Sequence, residues 1–554
     1  MSSCDENLMR PPVVLSTEHK KLDPLPFTVA FLAVFAFALA AIIYKQDFVG
    51  IMDAMTGWVN YNFGWAYTFL SLLLILFAFG IVVSPIGSIR IGGPRAMPAF
   101  GVKKWFAISL CSGIGIGILF WGIGEPIFHF MQPAQNVNVA PGSHEASLFA
   151  ISQGVLHWSI AQYCIYTMCG VAFALASFNE KRPLNIMSAL QPVLPAWGQG
   201  SVVKDIIHAC CLFSICCTVI SSIGALIMMV SSSVSYLTGL PRGFALNAAV
   251  ALFATAFFVT SSSLGLKRGM AFLSTQNTRL FFILLFFVFF CGPTNYILNM
   301  GSEACGYMLD HFFQHSTLSN NPFLADHWAN NWIIPYMGCF FAYAPPIGLY
   351  LARLGRGRTV RQFILMNVLA PSVFVYFWIN TFGSLAIFYQ RTGVVDVWNF
   401  VQTQGLESTV ISILQGFPLH GIVIAVFVVV TVISFVTLVD PMTSVLATIS
   451  TRGISAEDEA PRVLKVAWGF NMGAVALAVV TLCGVAALRG MFTISGVFIL
   501  LIDIGIYYSV VRMGMDILER RRQRRQPPSP VTRVGGSHLG ERRPVTIRPT
   551  LSGR

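Results

Sequence analysis

Charged side chains are scarce in this chain. Asp, Glu, Lys and Arg make up only 10% of its 554 residues, against 55% hydrophobic, and the mean hydropathy is +0.70. A soluble protein of this length needs far more charge to cover its surface, so the water-soluble classes are excluded. Cysteine is nearly absent outside apolar runs. Of 12 cysteines ten lie within such runs, Cys4 precedes the first, and only Cys305 falls in an outer connection, which leaves an outer disulfide without a partner. No Cys/His spacing matches a zinc site, and "CCLFSICC" reads as small, soft helix packing. No repeated filter sequence argues for an ion channel. No paired acid and base argue for a membrane enzyme: His129 and His157 read as isolated packing or polar contacts, so neither a metal nor a cofactor is expected. A cleavable signal sequence is also missing, because the first apolar run follows the polar "STEHKKLDP" and is long enough to remain as a helix.

What the chain has instead is apolar runs of bilayer length, twelve of them, at 27–44, 65–84, 105–130, 146–177, 205–238, 244–264, 280–299, 332–352, 362–389, 418–449, 463–488 and 491–512. Residues 1–26 read as an N-terminal tail, 27–512 as the membrane domain and 513–554 as a C-terminal tail. The basic residues fix the orientation. With both ends cytoplasmic, 31 of the 35 Lys and Arg lie inside, leaving Lys45, Arg242, Arg391 and Arg489 outside. A missed span would invert every later loop, so this split supports the count of twelve, and it accounts for the excess of basic over acidic residues without nucleic acid.

Two runs carry helix breakers. "SGIGIGILFWGIGEP" sets Gly113, Gly115 and Gly117 in a third span that ends at Glu125 and Pro126, and "WIIPYMGCFFAYAPPIGLYLARLGRGRTVRQF" sets Pro345 and Pro346 in the eighth, about 230 residues later. The glycines admit two readings: close helix packing through small residues, or an unwound segment whose amides face an anionic group. Paired interruptions in two halves point to an inverted-repeat transporter with a midplane site. After the first two spans the remaining ten divide into spans 3–7 and 8–12, and five being odd, the second unit is inverted.

Aromatic residues cluster on the same spans. In "LHWSIAQYCIY", Trp158, Tyr166 and Tyr163 fall at roughly 0°, 80° and 140° around a regular helix. Trp332, Tyr336, Phe340 and Tyr343 form a tighter stripe on the eighth span, next to the proline pair. Ring faces attract quaternary ammonium groups without a counter-charge, so such a wall suits a compact cation or zwitterion.

With these residues in view the chain resembles the betaine/choline/carnitine transporter family over nearly its whole length. "GIGIGILFWGIGEP" is similar to that family's glycine-rich helix, "YLARLGRGRTVRQF" to its most recognisable signature, "LHWSIAQYCIY" to its fourth-span aromatic segment and "SFVTLVDPMTS" to its tenth-span segment. The resemblance implies an all-α integral membrane protein of about 12 transmembrane helices, with a leucine-transporter-type 5+5 inverted repeat and two extra N-terminal helices. It also implies a homotrimer in the cell (inner) membrane that moves trimethylammonium solutes such as choline, glycine betaine or carnitine by alternating access. On matching positions, Trp158, Tyr163, Tyr166 and Phe340 form an aromatic box with Tyr343 beside it, and Gly113, Ile114, Gly115 and Gly117 supply unwound backbone. Glu125 is expected to be a structural or gating carboxylate.

The departures bear on substrate and ion. "MGCFFAYAPP" places Cys339, Phe340 and Tyr343 where betaine carriers show tryptophans, which leaves room for another zwitterion, such as a sulfonium compound, an amino-sulfonate or an amino acid. The family's sodium site joins the third span, here Cys111 and Ile114, to the tenth, here Ser434 and Thr437, but Leu438 stands where the sodium-coupled pattern has serine. Sodium wants several oxygens, so proton coupling or exchange is expected. Asp440 is either a titrating group or a structural carboxylate beside Pro441. Gly301 to Ser316 reads as an amphipathic helix on the outer surface, and the Arg-, Pro- and Gly-rich end reads as a disordered tail touching anionic lipid, or as a sensor of salt or lipid.

Overall fold

A computed structural model describes residues 21–264, 271–320, 327–454 and 458–525. Helices α1 (Pro24–Ile43), α2 (Lys45–Val83), α3 (Val102–Ile114), α4 (Gly117–Met131), α5 (His144–Trp158) and α6 (Ile160–Ala174) are followed by a short α7 (Ile186–Leu190). Then come α8 (Ser201–Thr238), α9 (Phe244–Leu264), α10 (Ala271–Cys291), α11 (Thr294–Asp310), α12 (Phe312–Ser316) and α13 (Trp328–Asn331). The rest is α14 (Ile333–Gly355), α15 (Val360–Thr392), α16 (Val397–Gln404), α17 (Leu406–Leu414), α18 (His420–Ile449) and α19 (Arg462–Arg525). The described residues contain no strand, only two isolated bridges. Eleven helices are long and apolar enough to cross a membrane, and α3 with α4, bent by 59°, makes a twelfth. The chain is therefore a multi-pass, all-α membrane protein. Helix α19 carries both final spans and continues to Arg525, beyond residue 512, where the sequence pattern ends the last one. The remainder of the basic tail and residues 1–20 lie outside the described residues.

Two expectations change. Helix α14 runs unbroken through Pro345 and Pro346. A proline's fixed φ is helical, and the lost donors are tolerated where neighbouring helices enclose the backbone, as they enclose the buried Ala342 to Leu349 segment. The interruption on this span comes earlier, at Trp332, with φ −126° and ψ −83°. The seventh span also ends at Cys291, and residues 294–310 form the surface helix α11, which buries Ile297, Met300, Gly301 and Ala304 along one side. The amphipathic segment thus starts before Gly301.

The start of α1 is tied down electrostatically. Asp23, almost fully buried, accepts from Arg452 Nε and Nη2 at 3.0 and 2.9 Å and from Lys204 Nζ at 3.1 Å, and its backbone N–H donates to Ser450 O at 2.8 Å. Burial alone would push this carboxyl up, but the Arg452 and Lys204 partners outweigh it and hold it below the usual 3.8. A depressed carboxyl stabilises the fold above its unfolded value, and that contribution is lost as pH falls through the folded value. Asp23→Ala is expected to cost about 1–2 kcal/mol at neutral pH. In thermal unfolding in detergent, the gap to wild type should narrow under acid, below about pH 4.

Candidate functional site

The bend between α3 and α4 is made by one residue. Gly115 has φ +51° and ψ −152°, which side-chain-bearing residues rarely adopt, and a Cβ there would lie 2.5 Å from Leu438 Cδ2. Helix α4 then restarts at Gly117, where a Cβ would stand 2.6 Å from the Trp158 ring. Gly115 thus unwinds the chain, and Gly117 lets an aromatic ring lie against the backbone.

A second interruption, at Ser159 with φ −116° and ψ −111°, separates α5 from α6. It delivers Trp158 to the cavity and resets the angular phase of the residues that follow. Tyr163, which the family resemblance puts in the box, packs against Gly113 and does not line the cavity. Gly115 does not line it either. Gly113, Ile114, Gly117, Trp158, Tyr166, Phe340, Tyr343 and Leu438 all do, around a small cavity of about 90 Å³.

The wall is made of rings set edge to face. Trp158 meets Tyr336 at 5.1 Å between centroids and 62°, and Phe340 at 5.6 Å and 76°; Tyr166 meets Phe340 at 6.1 Å and 88°. Tyr336 and Phe340, four residues apart on α14, stack at 6.3 Å. Trp121 closes the arrangement against Tyr336 at 5.9 Å. Tyr336 belongs to the stripe visible in sequence, whereas Trp121 and Phe120 sit beyond the bend on α4, where no periodicity singled them out. Polar groups are few: Gln162, Thr218, Ser221 and Ser222. Gln162 Nε2 donates to Gly113 O at 3.0 Å, which pairs a carbonyl that the bend leaves without a helical partner. Tyr343 OH contacts Ser222 Oγ at 2.7 Å and donates to Thr218 O at 2.8 Å, so its polar end points away from the rings. Among the described residues no Lys, Arg, Asp or Glu lines the cavity.

The residues considered for an ion fall into two separate places. Cys111 Sγ lies 3.4 Å from Thr278 Oγ1 and donates to Ser274 O at 3.4 Å, while Asn277 Nδ2 donates to Ser434 Oγ at 3.0 Å. Thr437 Oγ1 donates to its own helix at Ser434 O, 3.0 Å away. Asp440 is elsewhere, accepting from Ser261 Oγ at 2.8 Å. Cys111 and Ser434 are thus already bonded to side chains and backbone of α10, and Thr437 to its own helix.

The histidines are not isolated. His129 lies one helical turn beyond Glu125, with Nε2 at 2.9 Å from Oε1, and α5 brings His157 Nδ1 to 2.5 Å from the same oxygen. Trp158 Nε1 donates to Glu125 Oε2 at 2.7 Å, and Gln153 Nε2 lies 2.8 Å from His157 Nε2. Glu125, His129 and His157 are fully buried, and one ligating atom from each falls within 4.8 Å of the others. The expectation of no such constellation fails because the spacing between Glu125 and His157 carries no local signal; only the packing of α5 on α4 brings them together.

Comparison with known proteins follows the same lines. The family model described as "BCCT, betaine/carnitine/choline family transporter" matches residues 26–516. An osmo-independent choline transporter of Acinetobacter baylyi is 29% identical over 89% of this chain and 92% of its own length. A glycine betaine transporter of Bacillus subtilis is 26% identical over 87% and 93%. Among solved structures, a sodium-coupled sialic acid symporter in its substrate-bound, outward-open state matches at 10% identity over 83% of this chain and 98% of its own, with a TM-score of 0.42.

Proposed function

The chain belongs to the betaine/carnitine/choline family of transporters, and on that premise we propose that it carries a small quaternary-ammonium solute, such as choline, glycine betaine or carnitine, by alternating access. It is a transporter and not an enzyme. One observation carries the reading: a cavity at the α3/α4 bend walled by Trp158, Tyr336, Phe340 and Tyr166, with no charged residue among the described residues of its lining. A methylated ammonium is too diffuse to need hydrogen bonds and gains from ring faces, whereas a primary ammonium would bury donors beside few acceptors. The relatives that transport choline and glycine betaine support the same class. Gly113 and Gly117 border the cavity on backbone that can reach a carboxylate end.

For the coupling, we favour a proton or exchange over sodium. Cys111 offers sulfur, Asn277 and Ser434 satisfy each other, and Leu438 fills the space beside Gly115, which leaves too few free oxygens for a hard cation. The distribution of basic residues supports cytoplasmic termini in the inner membrane, and the basic tail suits anionic lipid. A homotrimer follows from the family resemblance. The test is uptake of labelled choline, glycine betaine and carnitine into liposomes under a sodium or a proton gradient imposed separately. Uptake of at least one without sodium is expected. Strict sodium dependence would refute the coupling assignment, and absence of uptake and of counterflow for all three would refute the substrate class.

A further inference from the structure

Among the described residues no charged side chain lines the cavity, yet a buried carboxylate touches its wall from behind. We propose that Glu125 is the counter-charge of the aromatic cage, acting through the Trp158 indole, and that His129 and His157 share a proton with it, so that protons and quaternary cations compete. The proposal rests on the function inferred above and adds to it a positioning residue and a mode of regulation.

The geometry gives each partner a role. Glu125 Oε2 accepts from Trp158 Nε1 at 2.7 Å, and Oε1 faces both imidazoles, at 2.5 and 2.9 Å. A carboxylate pulling on the indole N–H makes the ring richer in electrons, which strengthens its attraction for a cation on its face. The negative charge itself also acts across a medium with little water, where charges reach further than in bulk solvent. With both imidazoles neutral the trio carries one negative charge. One added proton, held between an imidazole and Oε1, makes it neutral: the field at the cage falls and the carboxylate pulls less on the indole. The three contacts to Glu125 are all at hydrogen-bond length.

Few other groups reach the trio. Among the described residues the charged or titratable side chains acting on Glu125 are His157 and His129. From α14, the Tyr336 ring packs on His157 at 5.3 Å, and from α13 the Trp328 ring lies 4.9 Å from His129. From the outer surface, His315 on α12 stands behind Phe149, which packs on His129. Burial, with help from His311 and His157, pushes the His315 imidazole down to about 4, so it stays neutral near neutral pH. On α5, His144 is spent on Glu303 at 2.7 Å, at the exposed end of the helix.

The experiment titrates the purified full-length chain in detergent between about pH 5 and 8. Tryptophan fluorescence without solute should show a transition that is lost in Glu125→Gln and in Trp158→Phe. No transition in the wild type, or one that persists in both variants, overturns the proposal. In parallel, choline affinity should weaken about tenfold towards the acid end. The change should be smaller for glycine betaine, whose net charge is zero, and Glu125→Gln should bind both with a flat profile. A slope that survives in Glu125→Gln overturns the competition. Should that variant not fold, His157→Gln keeps an amide for hydrogen bonding but takes no proton; its slope should flatten, and a wild-type slope overturns the proposal. If neither solute binds although the fluorescence transition depends on Glu125, the quaternary-ammonium reading fails while the shared-proton site stands.

Discussion

Trp158→Ala should weaken binding of choline and glycine betaine by about thirtyfold or more, the equivalent of losing a desolvated cation–ring contact of about 2 kcal/mol. Trp158 is the ring on which the site converges, meeting Tyr336 and Phe340 on one side and Gly117 on the other. Truncation also leaves Glu125 Oε2 without the indole donor, so a loss in the alanine variant alone would not separate the ring from the hydrogen bond. Trp158→Phe does: it keeps an aromatic face and removes the N–H, and an intermediate loss is expected. Phe340→Ala should weaken binding by a smaller factor, since Tyr336 remains stacked along the same face of α14. Equilibrium binding on protein shown to be folded by its unfolding profile is the check. Unchanged affinity in both alanine variants would remove these rings from the binding site.

The second large effect is expected at the bend. Gly115→Ala places a side chain on backbone at φ +51° and sets its Cβ 2.5 Å from Leu438 Cδ2. Strained backbone costs about 1–3 kcal/mol and overpacking a similar amount, so a destabilisation of about 3 kcal/mol with loss of transport is expected. The two contributions separate in a double variant. Leu438→Ala relieves the contact but not the backbone, so Gly115→Ala with Leu438→Ala should recover part of the stability lost in the single change, measured by thermal unfolding, and little of the transport. Full recovery would mean that the contact, and not the conformation, is what requires glycine there. No change in stability for Gly115→Ala would contradict the bend itself.

The twelve spans were readable because each is an apolar run of bilayer length, and length with composition is a signal carried by every residue in the run. The bend at Gly115 was readable from the glycine run, since few other residues take that backbone. Pro345 and Pro346 misled because a proline signals a lost donor, not a broken helix, and whether the helix survives depends on what encloses it. Tyr163 stands outside the cavity lining for a related reason: an angular argument assumes one continuous helix, and Ser159 interrupts it between Trp158 and Tyr163. Trp121, beyond the bend, follows no period that links it to α14. The trio of Glu125, His129 and His157 was the least legible part. The pair on α4 is one turn apart and could have been noticed, but 32 residues separate Glu125 from His157, and only tertiary packing makes them neighbours.

On the function proposed above, the ring-walled cavity selects a methylated cation. The most direct test of this is equilibrium binding of choline against ethanolamine, its counterpart without methyl groups, to the purified chain and to Trp158→Ala. The account predicts that choline binds at least about tenfold more tightly and that the alanine variant loses most of that preference. Equal affinity for the two, or a preference untouched by Trp158→Ala, would contradict it.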